Sequence, residues 1–394
     1  MILGGGTNQL PLVKAAKEMG CTVIICDYAQ NFPAKPYADK QYSASILDYE
    51  AVLSAAKDAK IDGIISNSEP AMKIVARVAE ELKLPTNPSW AIETLCTKHR
   101  FRTFLAKKSF ACPRFVTIFE EDSSEDVIEK VNTIKFPAMV KPVDSSGSRG
   151  VEKVADKEAC IASLSAAMSY SRSKTVIIEE FINNALSSIV GGDIFVYKSK
   201  VIMAGLMTAL RDEKVNPLVP CGEVYPAKIT ETQRIQIISE LNRLFSETGI
   251  SAGAFNVEIM IDYEGRVNFI EINPRNGGNL IPDTIKLNLG FDIFDATVRA
   301  ALGEEIENER HKEAYFFSYV VHTKESGVLK NVWFSPEIKP FLQRYYPTKQ
   351  EGENVEVFSN AEKLIGIAFL AFPDIESRDR TIQEIDKHIK VFLK

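Results

Sequence analysis

Over the first ninety residues, short apolar runs alternate with amphipathic segments of helical period. Ile2-Leu3 opens a strand. Leu10 to Met19 sets Leu12, Ala15, Ala16 and Met19 on one helical face, and Thr22 to Cys26 reads as a second strand. A helix over Ala51 to Ala59, a strand over Gly63 to Ser66 and a helix from Ala71 to Leu82, stopped before Pro85, continue the rhythm. Such alternation predicts a doubly wound parallel sheet, whose ligand cleft lies at the carboxyl ends of its strands. Gly4-Gly5-Gly6 and Ser66-Asn67-Ser68-Glu69 are the loops expected there.

From Trp90 onward the pattern turns to mixed α+β. A helix is expected over Lys98 to Lys108, a charged linker over Glu120 to Glu125, and strands at Met139 to Pro142 and Val176 to Glu180. Phe255 to Asn273 reads as a hairpin, and Leu302-Gly303-Glu304 as a helix end. Strands at Phe316 to His322 and Leu364 to Leu370 and a closing helix from Arg380 to Phe392 complete the chain. The expected fold class is α/β followed by α+β. A doubly wound N-terminal domain fills residues 1–90, a larger domain 91–305, and a small α+β domain 306–394.

At 394 residues with 45% hydrophobic and 25% charged positions, the chain can fill two or three cores. No run approaches the roughly 20 apolar residues of a membrane helix, and the N-terminus lacks the basic and long apolar regions of a signal peptide. With 47 basic and 53 acidic side chains, net charge −6, it lacks the electrostatic footprint of a nucleic-acid-binding protein. Cys21, Cys26, Cys96, Cys112, Cys160 and Cys221 show no C-x-x-C or disulfide-dense spacing and read as reduced thiols. The expectation is a cytoplasmic protein that acts on small molecules, with no nucleic-acid or membrane partner.

Three segments carry candidate chemistry. Gly4-Gly5-Gly6 after a strand, with Asp27 ending the next one, is a partial dinucleotide fingerprint; Gln9 stands where its third glycine belongs, so a purely structural turn competes with an NAD-linked reading. The second segment runs Met139-Val140-Lys141-Pro142 into Asp144-Ser145-Ser146-Gly147-Ser148-Arg149-Gly150-Val151. A strand lysine leads into a loop whose free N–H groups could close on phosphate oxygens, without the Gly-Lys-Ser/Thr of a P-loop. The third is the hairpin. With Glu264-Gly265 as a two-residue turn, Tyr263 pairs with Arg266 and Glu258 falls opposite Glu271, while Asn273 shares the face of Glu271. Opposed like charges destabilise a sheet. A hard divalent cation relieves them, and two carboxylates, an amide oxygen and substrate phosphates suit Mg²⁺.

Together, Lys98, Met139 to Pro142, the Asp144 to Val151 loop, Ile178-Glu179-Glu180-Phe181-Ile182, and Glu258 with Glu271-Ile272-Asn273-Pro274-Arg275 resemble the ATP-grasp superfamily in order and spacing. Its carboxylate-amine ligases are the nearest match: glycinamide ribonucleotide synthetase-like, carbamoyl-phosphate synthase-like and amino acid ligase-like members. The resemblance implies an ATP-grasp domain over 91–305 with a mobile lid at about 113–180, and ATP and Mg²⁺ as cofactors, with Mn²⁺ as an alternative ion. Lys98 and Lys141 would contact phosphates under a cover of Ser145, Ser146, Gly147 and Ser148. Glu179, Glu180, Phe181 and Ile182 would meet adenine, and Glu258, Glu271 and Asn273 would hold the metal. Arg275 would stabilise the phosphoryl group or tetrahedral intermediate, and Asn276-Gly277-Gly278-Asn279 would line the acceptor pocket.

Two departures from the family narrow this. Asn183-Asn184-Ala185-Leu186-Ser187-Ser188 replaces the usual ribose-binding glutamate, leaving Glu179 or Glu180 for that contact, and Asn276-Gly277-Gly278 replaces the Val-Glu-His of biotin carboxylase-like members. Arg211, after the apolar run Val201 to Leu210, could reach a substrate carboxylate or lie in solvent; His322 on an apolar strand is expected to be a core histidine. The expected function is a ligase that activates a small-molecule carboxylate as an acyl phosphate and joins it to an amine, with a homodimer open to it. Such chemistry needs cations and donors more than a catalytic histidine. The alternative is a non-catalytic nucleotide-binding or regulatory protein of the same fold.

Overall fold

The computed structural model describes every residue except 146–148, 187, 213, 216–218 and 308–312. Ser146, Gly147 and Ser148 of the expected phosphate loop therefore lie outside the described residues. Strands Ile2–Leu3 (β1), Ile24–Cys26 (β2), Lys40–Tyr42 (β3) and Ile65–Ser66 (β4) form a parallel sheet in the order β3-β2-β1-β4. Helices Leu10–Glu18 (α1), Tyr49–Ala59 (α2) and Glu69–Leu82 (α3) flank it. Leu12 and Val13 pack on Ile2 and Ile25, whereas Val52, Val75 and Val78 pack with Leu3 and Cys26. The strand order reverses at β1, with β2 and β3 on one side and β4 on the other, which opens the crevice where doubly wound sheets take ligands.

The glycine turn at this crevice is structural. Asp27 accepts the N–H groups of Gly5 (2.8 Å) and Ala29 (2.9 Å), and the Phe32 ring lies so close that a Cβ on Gly5 would come within 2.2 Å of it. An acid spent on backbone donors, beside an approach filled by an aromatic ring, leaves a dinucleotide no seat, and the NAD-linked reading falls.

Helices Ser89–Leu95 (α4) and Lys98–Lys107 (α5) lead to a small antiparallel sheet of Phe115–Phe119 (β5), Ala138–Pro142 (β6), Glu152–Val154 (β7) and Thr175–Glu180 (β8), in the order β5-β8-β6-β7. Helices Ser124–Asn132 (α6) and Lys157–Tyr170 (α7) cover it, with Val131, Cys160 and Ala167 buried against Val140 and Ile178. A Ser123/Asp126 capping box starts α6.

The remaining chain builds one eight-stranded antiparallel sheet. Val190–Tyr197 (β9), Lys200–Arg211 (β10), Pro220–Tyr225 (β11), Ala252–Ile261 (β12) and Val267–Asn273 (β13) are joined by Tyr315–Val321 (β14), Leu342–Pro347 (β16) and Gly366–Phe372 (β18) in the order β13-β12-β9-β10-β11-β14-β18-β16. Helix Glu231–Thr248 (α8) covers one face, where Ile237, Leu241 and Phe245 meet Phe101, Val257 and Ile259. Helices Ile281–Leu289 (α9) and Ile293–Leu302 (α10) cover the other, against Phe195, Met203 and Met207. Gly327–Phe334 (β15), Asn354–Val355 (β17) and Ile389–Leu393 (β19) form a three-stranded sheet. The closing helix is shorter than expected: helix Ile375–Gln383 (α11) gives way, after the turn Ile385–His388 (α12), to β19, paired with β15. Ile389, Val391 and Leu393 face the core at period two, the signature of a strand.

Candidate functional site

Hairpin β12–β13 brings the acidic pair together by a route that differs from the expected one. Its turn holds three residues rather than two. The Asp262 N–H donates to the Arg266 carbonyl (3.1 Å), the Gly265 N–H to the Asp262 carbonyl (2.9 Å), and Gly265 sits at φ +77°, the left-handed position of a three-residue hairpin loop. The longer turn slips the register by one, pairing Ile261 with Val267 and Ile259 with Phe269. A bulge at Ile270 slips it back, so that Glu258 pairs with Glu271 and Asn256 with Asn273. The bulge also decides which way these side chains face. Val267 and Phe269 pack in the core under α8, and strict alternation would send Glu271 there too; with Ile270 extra, Ile272 takes that place and Glu271 and Asn273 turn to the opposite face.

Arg102, on α5, holds the bulge. Its guanidinium donates to the carbonyls of Phe269 (2.9 Å) and Ile270 (3.0 Å) and pairs with Glu179 at the end of β8 (2.8 Å). The second Glu179 oxygen takes Lys141 Nζ at 2.7 Å. Arg102 and Glu179 are each 2% exposed. Burial pushes the Glu179 carboxyl up, but the two cations outweigh it and hold it at about 2. A carboxylate so enclosed has no face left for a ribose, which corrects one of the two expected sugar contacts; the other, Glu180, gives an oxygen to the Lys135 N–H (3.1 Å). Arg102 was not among the expected site residues. Its signal is an arginine between Phe101 and Leu105 on the buried face of α5, where helical period calls for an apolar side chain.

Lys98 starts α5. Its Nζ pairs with Glu271 (3.0 Å) and donates to the Ser145 carbonyl (2.9 Å), tying the acidic pair to the loop after β6. Burial raises the Glu271 carboxyl, but Lys98, an amide donor of Asn273 and Arg275 outweigh it, and the group lies below the usual carboxylate range. Glu258 goes the other way. Burial and then the negative charge of Glu271 push its carboxyl up. The Asn273 Oδ1 is buried without a hydrogen-bond partner. A charged carboxylate, a second one held high beside it and an unpaired amide oxygen fit a hard cation that arrives with phosphate ligands. Among the described residues no three His, Cys, Asp or Glu side chains form a self-sufficient metal cage.

Around this pair stand groups from four other elements. Arg275 pairs with Glu69 at the start of α3 (3.0 Å), joining the crevice of the N-terminal sheet to the end of β13. Arg211, at a bulge ending β10, acts through its charge on both Glu258 and Glu223. Sequence reasoning missed Glu223 and Asp193, single acids within the apolar strands β11 and β9. Burial, then Glu258, pushes the Glu223 carboxyl up to about 8. Asp193, fully buried, is pushed up to about 6 by burial against the donors Asn256 (2.9 Å) and the Gly277 N–H (2.7 Å), which anchors the expected acceptor loop. His322 is the expected core histidine, with Nδ1 on the Val320 carbonyl (2.7 Å) and its ring against Phe358.

The raised Glu223 carboxyl makes the metal-free chain sensitive to pH. A carboxyl that protonates near 4.5 when unfolded but near 8 when folded adds stability that is complete below 4.5 and is lost as pH rises through 8. The Tm of the metal-free chain should therefore fall between about pH 5 and pH 8, and Glu223→Gln should flatten part of that fall. An unchanged slope in the variant would remove Glu223 as its source.

Two lysines and an opposed acidic pair lie where a small α+β layer meets a larger antiparallel sheet. Residues 134–283 match the model of the ATP-grasp domain and residues 13–86 that of the ATP-grasp N-terminal domain. The chain carries the paired N-terminal and ATP-binding domains of the ATP-grasp superfamily. It is 27% identical over 307 residues to the formate-dependent phosphoribosylglycinamide formyltransferase of Prochlorococcus marinus, across 77% of this chain and 75% of that one. It is 25% identical over 306 residues to the carbamoyl phosphate synthase large chain of Clostridium botulinum, across 75% of this chain but only 27% of that longer protein. The L-amino acid ligase of Bacillus licheniformis shares the fold with a TM-score of 0.80 at 19% identity, covering 100% of this chain and 98% of that one. No helix among the described residues is long and apolar enough to cross a membrane.

Proposed function

We propose that this chain is an ATP- and Mg²⁺-dependent ligase that turns a small-molecule carboxylate into an acyl phosphate and joins it to an amine, releasing ADP and phosphate. The observation that carries this reading is the Glu258 and Glu271 pair, turned out of the core beside the unpaired Asn273 Oδ1, with Lys98 linking Glu271 to the loop after β6. Lys98 and Lys141 neutralise ATP phosphates. The backbone from Glu180 to Ile182 meets the adenine, and the Ile182 N–H, which donates to no group among the described residues, is available to a ring nitrogen. Glu258, Glu271 and Asn273 hold Mg²⁺, or Mn²⁺ in its place, whose charge offsets that of the phosphoryl group in transfer. Arg275 and Arg211 orient the carboxylate, whose oxygen attacks the γ-phosphorus as ADP leaves; the amine nitrogen then attacks the acyl carbon and phosphate departs. Enclosure by the β5-β8-β6-β7 layer would keep water from the acyl phosphate. The relatives are named for different substrates, so the family leaves the carboxylate and the amine open.

Mg-ATP should raise the Tm of the chain, by about 2.7 kcal/mol of added stability at a hundred times its Kd, and NAD should not. A shift with NAD alone and none with Mg-ATP would sink the reading. ADP release in the presence of paired carboxylates and amines tests turnover. Stabilisation by Mg-ATP with no release across a broad panel would favour a binding protein instead.

A further inference from the structure

A cleft of about 510 Å³ opens beside the Glu69 and Arg275 pair, between α3, α4 and the loop after β6. The acids on its wall are spent. Glu69 pairs with Arg275 (3.0 Å), Glu93 with Arg100 (3.1 Å), and Asp144 accepts from the Ser171 hydroxyl (2.9 Å) and the N–H groups of Arg172 (3.0 Å) and Ser173 (2.9 Å). Its cations are not. Among the described residues no carboxylate forms a salt bridge with Lys73, Arg77 or Arg172; Lys73 donates to Thr97 Oγ1 (2.9 Å), the Arg77 guanidinium lies 4.0 Å from the Tyr49 ring centre, and Arg172 Nη2 donates to the Asp144 carbonyl (2.9 Å). A ring face and a carbonyl hold the two guanidiniums in place without cancelling their charge, which leaves planar forks suited to an oxyanion. Glu69, Lys73 and Arg77 are spaced four apart on α3 and share one face, with Lys73 and Arg77 about 6 and 12 Å along the axis from Glu69.

We propose that this cleft is an anion subsite, so that the substrate meeting Arg275 carries a second negative group, a phosphate or a carboxylate, roughly 6 to 12 Å from its reacting atom and held by Lys73, Arg77 and Arg172. The inference rests on the ligase reading, because the reacting group is placed at Arg275 by that reading. Calorimetric titration of the wild-type chain saturated with Mg²⁺ and the ATP analogue AMPPNP, at low ionic strength, tests it with two probes, inorganic phosphate and succinate. One anion should bind per chain. Lys73→Gln combined with Arg77→Gln, the first half-buried and the second exposed on α3, should weaken binding about tenfold or more, since each removes a charge-assisted bond. Lys60→Gln with Lys83→Gln, exposed lysines elsewhere on the same domain, should leave it unchanged. Tighter phosphate would assign a phosphomonoester substrate and tighter succinate a carboxylate. Failure of both anions to bind the AMPPNP complex, or equal binding by both double variants, overturns the subsite. Failure of the wild-type chain to bind Mg-AMPPNP overturns the ligase reading itself.

Discussion

Glu271→Gln is expected to lower ATP-dependent turnover by more than about a hundredfold, because changing a group that merely orients a metal ligand already costs ten- to a hundredfold. Glu258→Gln should do the same to turnover, yet the two should part in the metal-free chain. Glu258 is the carboxyl that burial and Glu271 push up, so its neutral amide removes a repulsion, and Tm should hold or rise. Glu271 is the partner of Lys98 at 3.0 Å, with both side chains largely shielded, so its amide leaves an ammonium short of its counter-charge. A loss on the order of 1 to 2 kcal/mol follows. Steady-state ADP release and thermal unfolding without metal check both arms. Full activity in Glu271→Gln would show that the pair is scaffold rather than metal site.

Arg102→Met should be the most damaging single change to stability, at about 3 to 5 kcal/mol, because it leaves Glu179 buried with Lys141 alone and frees two carbonyls at the bulge. Arg102→Lys is the more informative variant. Its ammonium keeps the charge beside Glu179 but cannot hold the Phe269 and Ile270 carbonyls and the carboxylate together in one planar fork. Since the bulge sets the facing of Glu271, the Mg²⁺ concentration for half-maximal ATP binding should rise about tenfold in Arg102→Lys while the fold persists. A lysine variant that loses Tm without any change in Mg²⁺ dependence would reduce Arg102 to a packing residue. Glu179→Gln extends the test, since it perturbs the same guanidinium from the β8 side.

The site residues sit at different depths of legibility. Lys141, Glu258, Glu271 and Asn273 stand out as charged or amide side chains on short apolar strands, Lys98 enters through the family resemblance, and the fold brings all five to one region. Glu258 lies opposite Glu271 as expected, although the expected turn at Glu264-Gly265 is one residue short of the real one and the expected strict alternation ignores the bulge at Ile270; the two one-residue shifts cancel. The Glu179 carboxylate went the other way, from an expected sugar contact to an enclosed link between two cations.

By itself the sequence determined the alternation of strand and helix in the first ninety residues and the strands that carry Lys141 and the acids. These follow from local periodicity and side-chain type, which act over a few neighbouring positions. Tertiary structure alone decided that Arg102 holds the bulge, that Glu223 and Asp193 join the acidic region, and that β14, β16 and β18 extend the central sheet. Arg102 meets Phe269 across 167 positions and Glu179 across 77. A buried charge takes whatever partner the packed chain carries to it, and no local pattern encodes that partner, because the energy that selects it appears only when water has been excluded around both groups.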